Sequence, residues 1–158
     1  MPPELVTLLH RDHVDLQAAL TRLLDPTTSL PEFRASLDGV RLGLIAHAEA
    51  EDIVLTPQRV PGLDRLVAES RTAHLVQERA LATLVTMRLG TSSWQDRAHH
   101  LRELVRVHTE REQAELFPSL AAHPDYPKLA GAFATERLRQ LAMLQPSAPV
   151  SFAQLADL

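Results

Sequence analysis

The sequence contains no cysteine, which excludes a disulfide framework, a thiolate metal ligand and a cysteine nucleophile. No apolar run approaches the ~18–20 residues that a membrane-spanning helix needs. The opening stretch, Met1 to His10, is too polar and too short in its apolar part to read as a secretory signal. A cytoplasmic location is the default expectation. Basic residues form no stripe: 16 Lys and Arg are interspersed among 20 Asp and Glu, for a formal net charge of −4. Nucleic acid is therefore a poor partner. Glycine is scarce, at 5, and no segment shows the apolar–polar alternation of a strand.

What is present favours helix. Ala, Leu, Arg and Glu are plentiful. The 158 residues suit one domain spanning 1–158, long enough to bury roughly two-thirds of the surface its unfolded chain would expose. The apolar fraction of 45% is that of a globular chain, so disorder is not expected for most of its length. Eleven prolines punctuate the sequence, and between them lie stretches with helical periodicity. The expected helices run over about 4–24, 31–55, 63–89 and 93–120, with a shorter one over 128–144 and a tail after it. Ser29 or Leu30 is expected near the start of the second, Gly90 at the C-terminal cap of the third, and Ser92 with Gln95 as a capping box for the fourth. Pro57 and Pro118 are expected to end or kink their helices. Short connections make successive helices antiparallel neighbours. The expected fold is all-α: an antiparallel up-down-up-down four-helix bundle with an additional C-terminal helix.

The eight histidines carry the functional signal, because four of them repeat. His47-Ala-Glu-Ala-Glu51 is followed by Pro57, and His108-Thr-Glu-Arg-Glu112 by Pro118. Both segments read His-x-x-x-Glu with Pro ten residues after the His, and 108 − 47 is 61. Adding 61 to His13 gives His74. The chain thus looks like two copies of one helical hairpin. Residues at i and i+4 share a helix face, so His47 with Glu51, and His108 with Glu112, can each address one point. Those positions fall on the apolar seams Leu37, Val40, Leu44, Val54 and Leu101, Leu104, Leu116. His13 lies among Leu9, Leu16 and Leu20, and His74 between Val67 and Leu81. Each histidine alone could be a core residue bonded to a backbone carbonyl; the repeat argues instead for shared ligation. Burying four imidazoles and two carboxylates without partners costs several kcal/mol each, and a cation compensates directly. Imidazole and carboxylate without thiolate suit iron, manganese or zinc. Six ligands exceed one tetrahedral zinc and suit two ions sharing carboxylates.

At these residues the sequence resembles the hemerythrin family, in its HHE cation-binding branch. The resemblance rests on Asp12-His13, His47-x-x-x-Glu51, His74, and His108-x-x-x-Glu112 with Leu116-Phe117-Pro118, and covers about residues 4 to 120. It implies two iron ions, oxo- or hydroxo-bridged, with Glu51 and Glu112 as bridging carboxylates and His13, His47, His74 and His108 as terminal ligands; manganese or zinc would be substitutes. It implies a small diatomic or peroxide ligand: dioxygen, peroxide or nitric oxide, bound or converted, with a role in oxidative or nitrosative stress and a partner reductant. A catalase-like activity is one form of this. The alternative is an iron- or oxygen-sensing module without turnover. Whether the chain is a monomer or homodimer stays open.

The sequence departs from the oxygen carriers of that family in two places. Glu78 stands four residues after His74 where they have a fifth histidine, and the fourth helix has His-x-x-x-Glu where they have His-x-x-x-x-Asp. Glu78 is therefore an additional candidate ligand, set against the plainer reading of a solvated glutamate. His10, three residues before His13, is another, set against a surface histidine. An open coordination position favours reaction over reversible carriage. His100 is expected near the site or the bundle end, His99 and His123 in solvent. Glu49, Asp52, Glu110 and Glu115 are expected as surface charges or as acceptors that orient a ligand histidine. Phe33, Trp94, Phe117 and Phe133 are expected in the core.

Overall fold

The computed structural model describes residues 4–58 and 61–145. The tail expected after 145 lies outside the described residues. Among them there are helices and turns and no strand. Four long helices, α1 (Leu5–Leu24), α2 (Leu30–Leu55), α3 (Leu63–Thr86) and α4 (Ser92–Arg111), form the bundle. A π-helical turn, Glu112–Leu116, and α5 (Phe117–Ala121) prolong α4, and α6 (Tyr126–Leu144) follows. Helix α1 packs against α2 and α4, and α3 against α2 and α4, which closes the ring. The all-helical bundle with an extra C-terminal helix is thus the observed fold.

The helix boundaries follow local chemistry. Ser29 caps α2 with a full capping box: its hydroxyl accepts the Glu32 N–H, and the Glu32 carboxylate accepts the Ser29 N–H at 2.9 Å. The α4 cap differs from expectation. Thr91, not Ser92, accepts the Trp94 N–H, at 3.1 Å, and no box with Gln95 forms. The residue three after Thr91 is Trp94, whose ring belongs in the core and cannot reach back. Helix α3 ends at Thr86 rather than near 89, because Met87 turns extended (ψ 156°) and packs against the core. Gly90, at φ 76°, therefore serves the turn into α4 and not the cap of α3.

The two prolines of the repeat behave differently. Pro57 follows the end of α2. Pro118 lies inside a continuous helical rod. The preceding π turn accommodates it: the Phe117 N–H donates to the Glu112 carbonyl, five residues back, where Pro118 itself has no N–H to give.

The core is divided into two apolar clusters. One gathers Leu5, Leu9, Val54, Val67, Leu116, Phe117 and Phe133. The other gathers Leu16, Leu20, Leu44, Leu81, Trp94, Leu101 and Val105. On every bundle helix the chain crosses from one cluster to the other at a histidine: His13 between Leu9 and Leu16, His47 between Leu44 and Val54, His74 between Val67 and Leu81, His108 between Val105 and Leu116. The polar residues form one layer with apolar packing above and below.

Helix α6 is more than an appendage. Its contact with α2 is the most extensive between two helices among the described residues, and it also covers α1. Phe133 is its anchor, fully buried in the first cluster.

Candidate metal centre

The four imidazoles form a ring across the bundle. Ring centroids are 4.9 Å apart for His13 and His47, 5.8 Å for His47 and His74, 4.6 Å for His74 and His108, and 6.2 Å for His108 and His13. Glu51 and Glu112 enter from the two motif helices. All six residues are buried, the most accessible being His108 at 7%. His13, His47, His108 and Glu112 each place one donor atom within 4.8 Å of the others, and so do His47, Glu51 and His74. The two groups share His47. The structure brings together all six residues singled out in the sequence.

Two carboxylates outside this ring fix the orientation of two imidazoles. His47 Nδ1–H donates to Asp12 at 3.3 Å, and His74 Nδ1–H donates to Asp52 at 3.0 Å. A proton held on Nδ1 leaves the Nε2 lone pair for the interior. For Asp52 this selects the orienting role over the surface one. Asp12 goes further, because Arg137 of α6 holds it with two contacts of 2.8 Å. Burial alone would raise the Asp12 carboxyl, but the hydrogen bonds from His47 and Arg137 outweigh it and keep it below the usual carboxylate range. Ser70 of α3 donates to Glu112 at 2.6 Å. Phe117 stacks on His13 at 5.7 Å, and Phe133 meets His47 edge-on at 6.1 Å.

What several donor atoms of the interior lack is a partner. His74 Nε2, His108 Nε2, His13 Nδ1 and both oxygens of Glu51 are buried without a hydrogen-bond partner. His13 Nε2 lies 3.2 Å from His47 Nε2 and 3.0 Å from Glu112. Because Asp12 holds the His47 proton on Nδ1, the facing nitrogen is a lone pair. Burial pushes His47 down despite Asp12, and pushes His108 down to about 3 despite Glu112. Both imidazoles are therefore neutral at neutral pH. Burial and the neighbouring Glu112 charge push the Glu51 carboxyl up. Burial also opposes the Glu112 charge, but the His13 hydrogen bond and the surrounding imidazoles hold its carboxyl down. A buried layer of four imidazoles, His47 and His108 among them held neutral, and two crowded carboxylates fits divalent or trivalent cations.

The other candidates fall outside the two groups. Glu78 is half-buried; burial and the Glu49 carboxylate push its carboxyl up, and it contributes no donor atom to either group. His10 is exposed and pairs with Gln113 at 3.1 Å. His99 and His100 are exposed. His123 is buried, contrary to expectation, because its Nδ1 accepts the Asp125 N–H in the turn before α6. Sequence reasoning missed Ser70 and Arg137. Ser70 carries no signal beyond its place on the seam of α3. Arg137 is one of many arginines, and only the packing of α6 selects it.

A family model, the hemerythrin HHE cation-binding domain, matches residues 4–141. No curated protein and no solved structure matches the chain significantly. None of the described helices is long and apolar enough to cross a membrane.

Proposed function

The chain belongs to the hemerythrin HHE cation-binding family, and on that premise we propose that His13, His47, Glu51, His74, His108 and Glu112 hold two iron ions that bind or react with dioxygen, peroxide or nitric oxide. The observation that carries this reading is the set of buried, unpartnered donor atoms converging from four helices. The protein's own groups leave several of these atoms unsatisfied, and a cation would satisfy them.

Two irons held there would supply redox chemistry toward a small oxidant. The chain's own residues do the rest. Asp12 and Asp52 fix the tautomers of His47 and His74. Ser70 orients Glu112. The clusters above and below, with Phe117 and Phe133, bury the layer from both ends of the bundle, which strengthens the charge interactions within it. Glu51 and Glu112, one in each donor group, would supply the negative charge that offsets two cations.

Metal analysis of the protein as purified, paired with its visible spectrum and an assay of peroxide turnover, tests this reading. About two irons per chain with charge-transfer absorption is the expected result. A chain that takes up no iron under reducing, anaerobic loading would overturn it.

One observation favours a second reading, a binding or sensing module without turnover. The path His47–Asp12–Arg137 links the centre to α6, so occupancy can be felt at the outer helix. Amide exchange in α6 that slows on iron loading, with no peroxide turnover, would select it.

The same link gives a direct prediction. Replacing Arg137 by Met leaves Asp12 with one partner and frees it to turn from His47. Partners of this kind are typically worth 10–100-fold in metal affinity, so R137M should weaken iron binding about tenfold in a chelator competition. Unchanged affinity would show that Asp12 holds His47 without help.

A further inference from the structure

The two hairpins are alike in their ligands and unlike in how they close. The seam-facing positions of α1 are Leu5, Leu9, Asp12 and Leu16; adding 61 to each gives Leu66, Ser70, Ala73 and Gln77 on α3. In the first hairpin the leucines fill the seam: Leu9 is fully buried, and Leu16 packs at Gly43 of α2, 4.0 Å from where a Cβ would stand. In the second, Ser70 and Ala73 are too small to fill it, and Leu104 stands where the first has Gly43.

The result is a groove of about 600 Å³ between α3 and α4. Leu66, Ala73, Val76, Leu104, Val107 and Leu116 form its apolar walls, and it reaches Ser70, His108 and Glu112. Such a volume is far more than a diatomic or peroxide needs, given ~30 Å³ for a water, and lies within the ~300–1,000 Å³ of organic-ligand sites. Val76 and Val107 on its walls are 42% and 50% exposed.

Charge at the groove is compensated. Arg65 and Arg111 each meet Glu69 at 2.7 Å, and Glu115 lies 3.7 and 3.4 Å from them. Two cations and two anions cancel. Glu103 is held by Arg106. No spare cation awaits a carboxylate or phosphate. Apart from the metal-centre residues His108 and Glu112 at its inner end, the unsatisfied group to note is Gln77: it stands on the groove wall, is only 3% exposed, and its amide nitrogen has no partner. A buried donor left so is costly, and a ligand acceptor would satisfy it.

We propose that this groove binds an uncharged, mainly apolar organic molecule carrying a hydrogen-bond acceptor for Gln77, and holds it beside the His108–Glu112 side of the metal centre. The second half of this statement rests on the metal reading above; occupancy of the groove does not.

Acetophenone and ethylbenzene, alike in shape but differing in a carbonyl, are suitable probes. Calorimetric titration of the metal-free protein should show acetophenone binding about tenfold more tightly, the equivalent of one net hydrogen bond. Gln77→Leu should remove that preference while ethylbenzene still binds, and Ala73→Phe should weaken both probes at least tenfold. Should either variant fail to fold, nuclear Overhauser contacts from wild-type protein decide: they are expected between acetophenone and the methyls of Val76 and Val107. Absence of saturable binding, contacts confined to other surfaces, or undiminished binding in both folded variants would overturn the groove. In iron-loaded protein, acetophenone should shift the visible spectrum, and saturation without a shift overturns the placement beside the metals. Failure to take up iron would defeat the metal reading alone, since the metal-free titration still stands.

Discussion

Glu112→Gln should reduce bound iron from about two per chain to less than one. Glu112 contributes the sole carboxylate of the first donor group, with His13, His47 and His108. Its oxygens lie 3.0 Å from His13 Nε2 and 3.1 Å from His108 Nε2. Glutamine keeps the volume and the Ser70 hydrogen bond on the remaining oxygen. It removes the negative charge and places an N–H₂ donor where a lone pair must face a cation. At a buried position that charge is weakly screened, so its loss should exceed the ~10–100-fold typical of outer partners. Metal analysis after dialysis reads the result. Glu110→Gln, exposed and paired with Arg106, serves as the comparison and should retain full metal. Two irons in E112Q would mean that Glu112 is not a ligand.

Removing the metal should lower the melting temperature by about 10 °C. A ligand present at a thousand times its dissociation constant contributes ~4 kcal/mol to stability, and a chain of this size gains ~2–4 °C per kcal/mol. The metal-free form should also be acid-sensitive. His47 and His108 are held down by burial in the fold, His108 to about 3. Between that value and the ~6.5 of a free imidazole, the unfolded chain binds protons that the folded chain does not. The two imidazoles therefore make stability fall as pH drops through ~6.5, and they outnumber Glu51, whose raised carboxyl works in the opposite sense. Thermal melts in chelator at pH 7 and pH 5 check the sign. In His47→Leu/His108→Leu the polar layer loses two of its lone pairs to apolar side chains, a change that is often neutral or stabilising. Its melting temperature should not respond to chelator. A response equal to wild type would show that metal binds elsewhere.

The convergence of six polar residues was legible because it is written in local periodicity. An i, i+4 pair addresses one point on any helix, and the offset of 61 repeats the arrangement without knowledge of packing. The apolar seams that flank each histidine were legible for the same reason, but their division into two clusters came from the packing. The helix ends were less so. Thr91 won the α4 cap from Ser92, and Met87 ended α3 early, because core packing of Trp94 and Met87 overrode the local signals. The π turn before Pro118 breaks the symmetry between the hairpins, and proline by itself said only that the helix would end or kink.

From the sequence alone come the all-helical fold, the six polar residues on apolar seams and their near two-fold arrangement, since each depends on spacing within a helix. Tertiary structure decided the rest, since each remaining feature joins residues that no periodicity connects. Asp12 meets Arg137 across 125 residues, Ser70 meets Glu112 across 42, and α6 covers α2 rather than trailing from the bundle. The groove is a tertiary outcome of the same kind. Ser70 and Gln77 stand at positions that repeat leucines of the first hairpin and Ala73 at the repeat of Asp12, but only the packing of α3 against α4 turns them into a space.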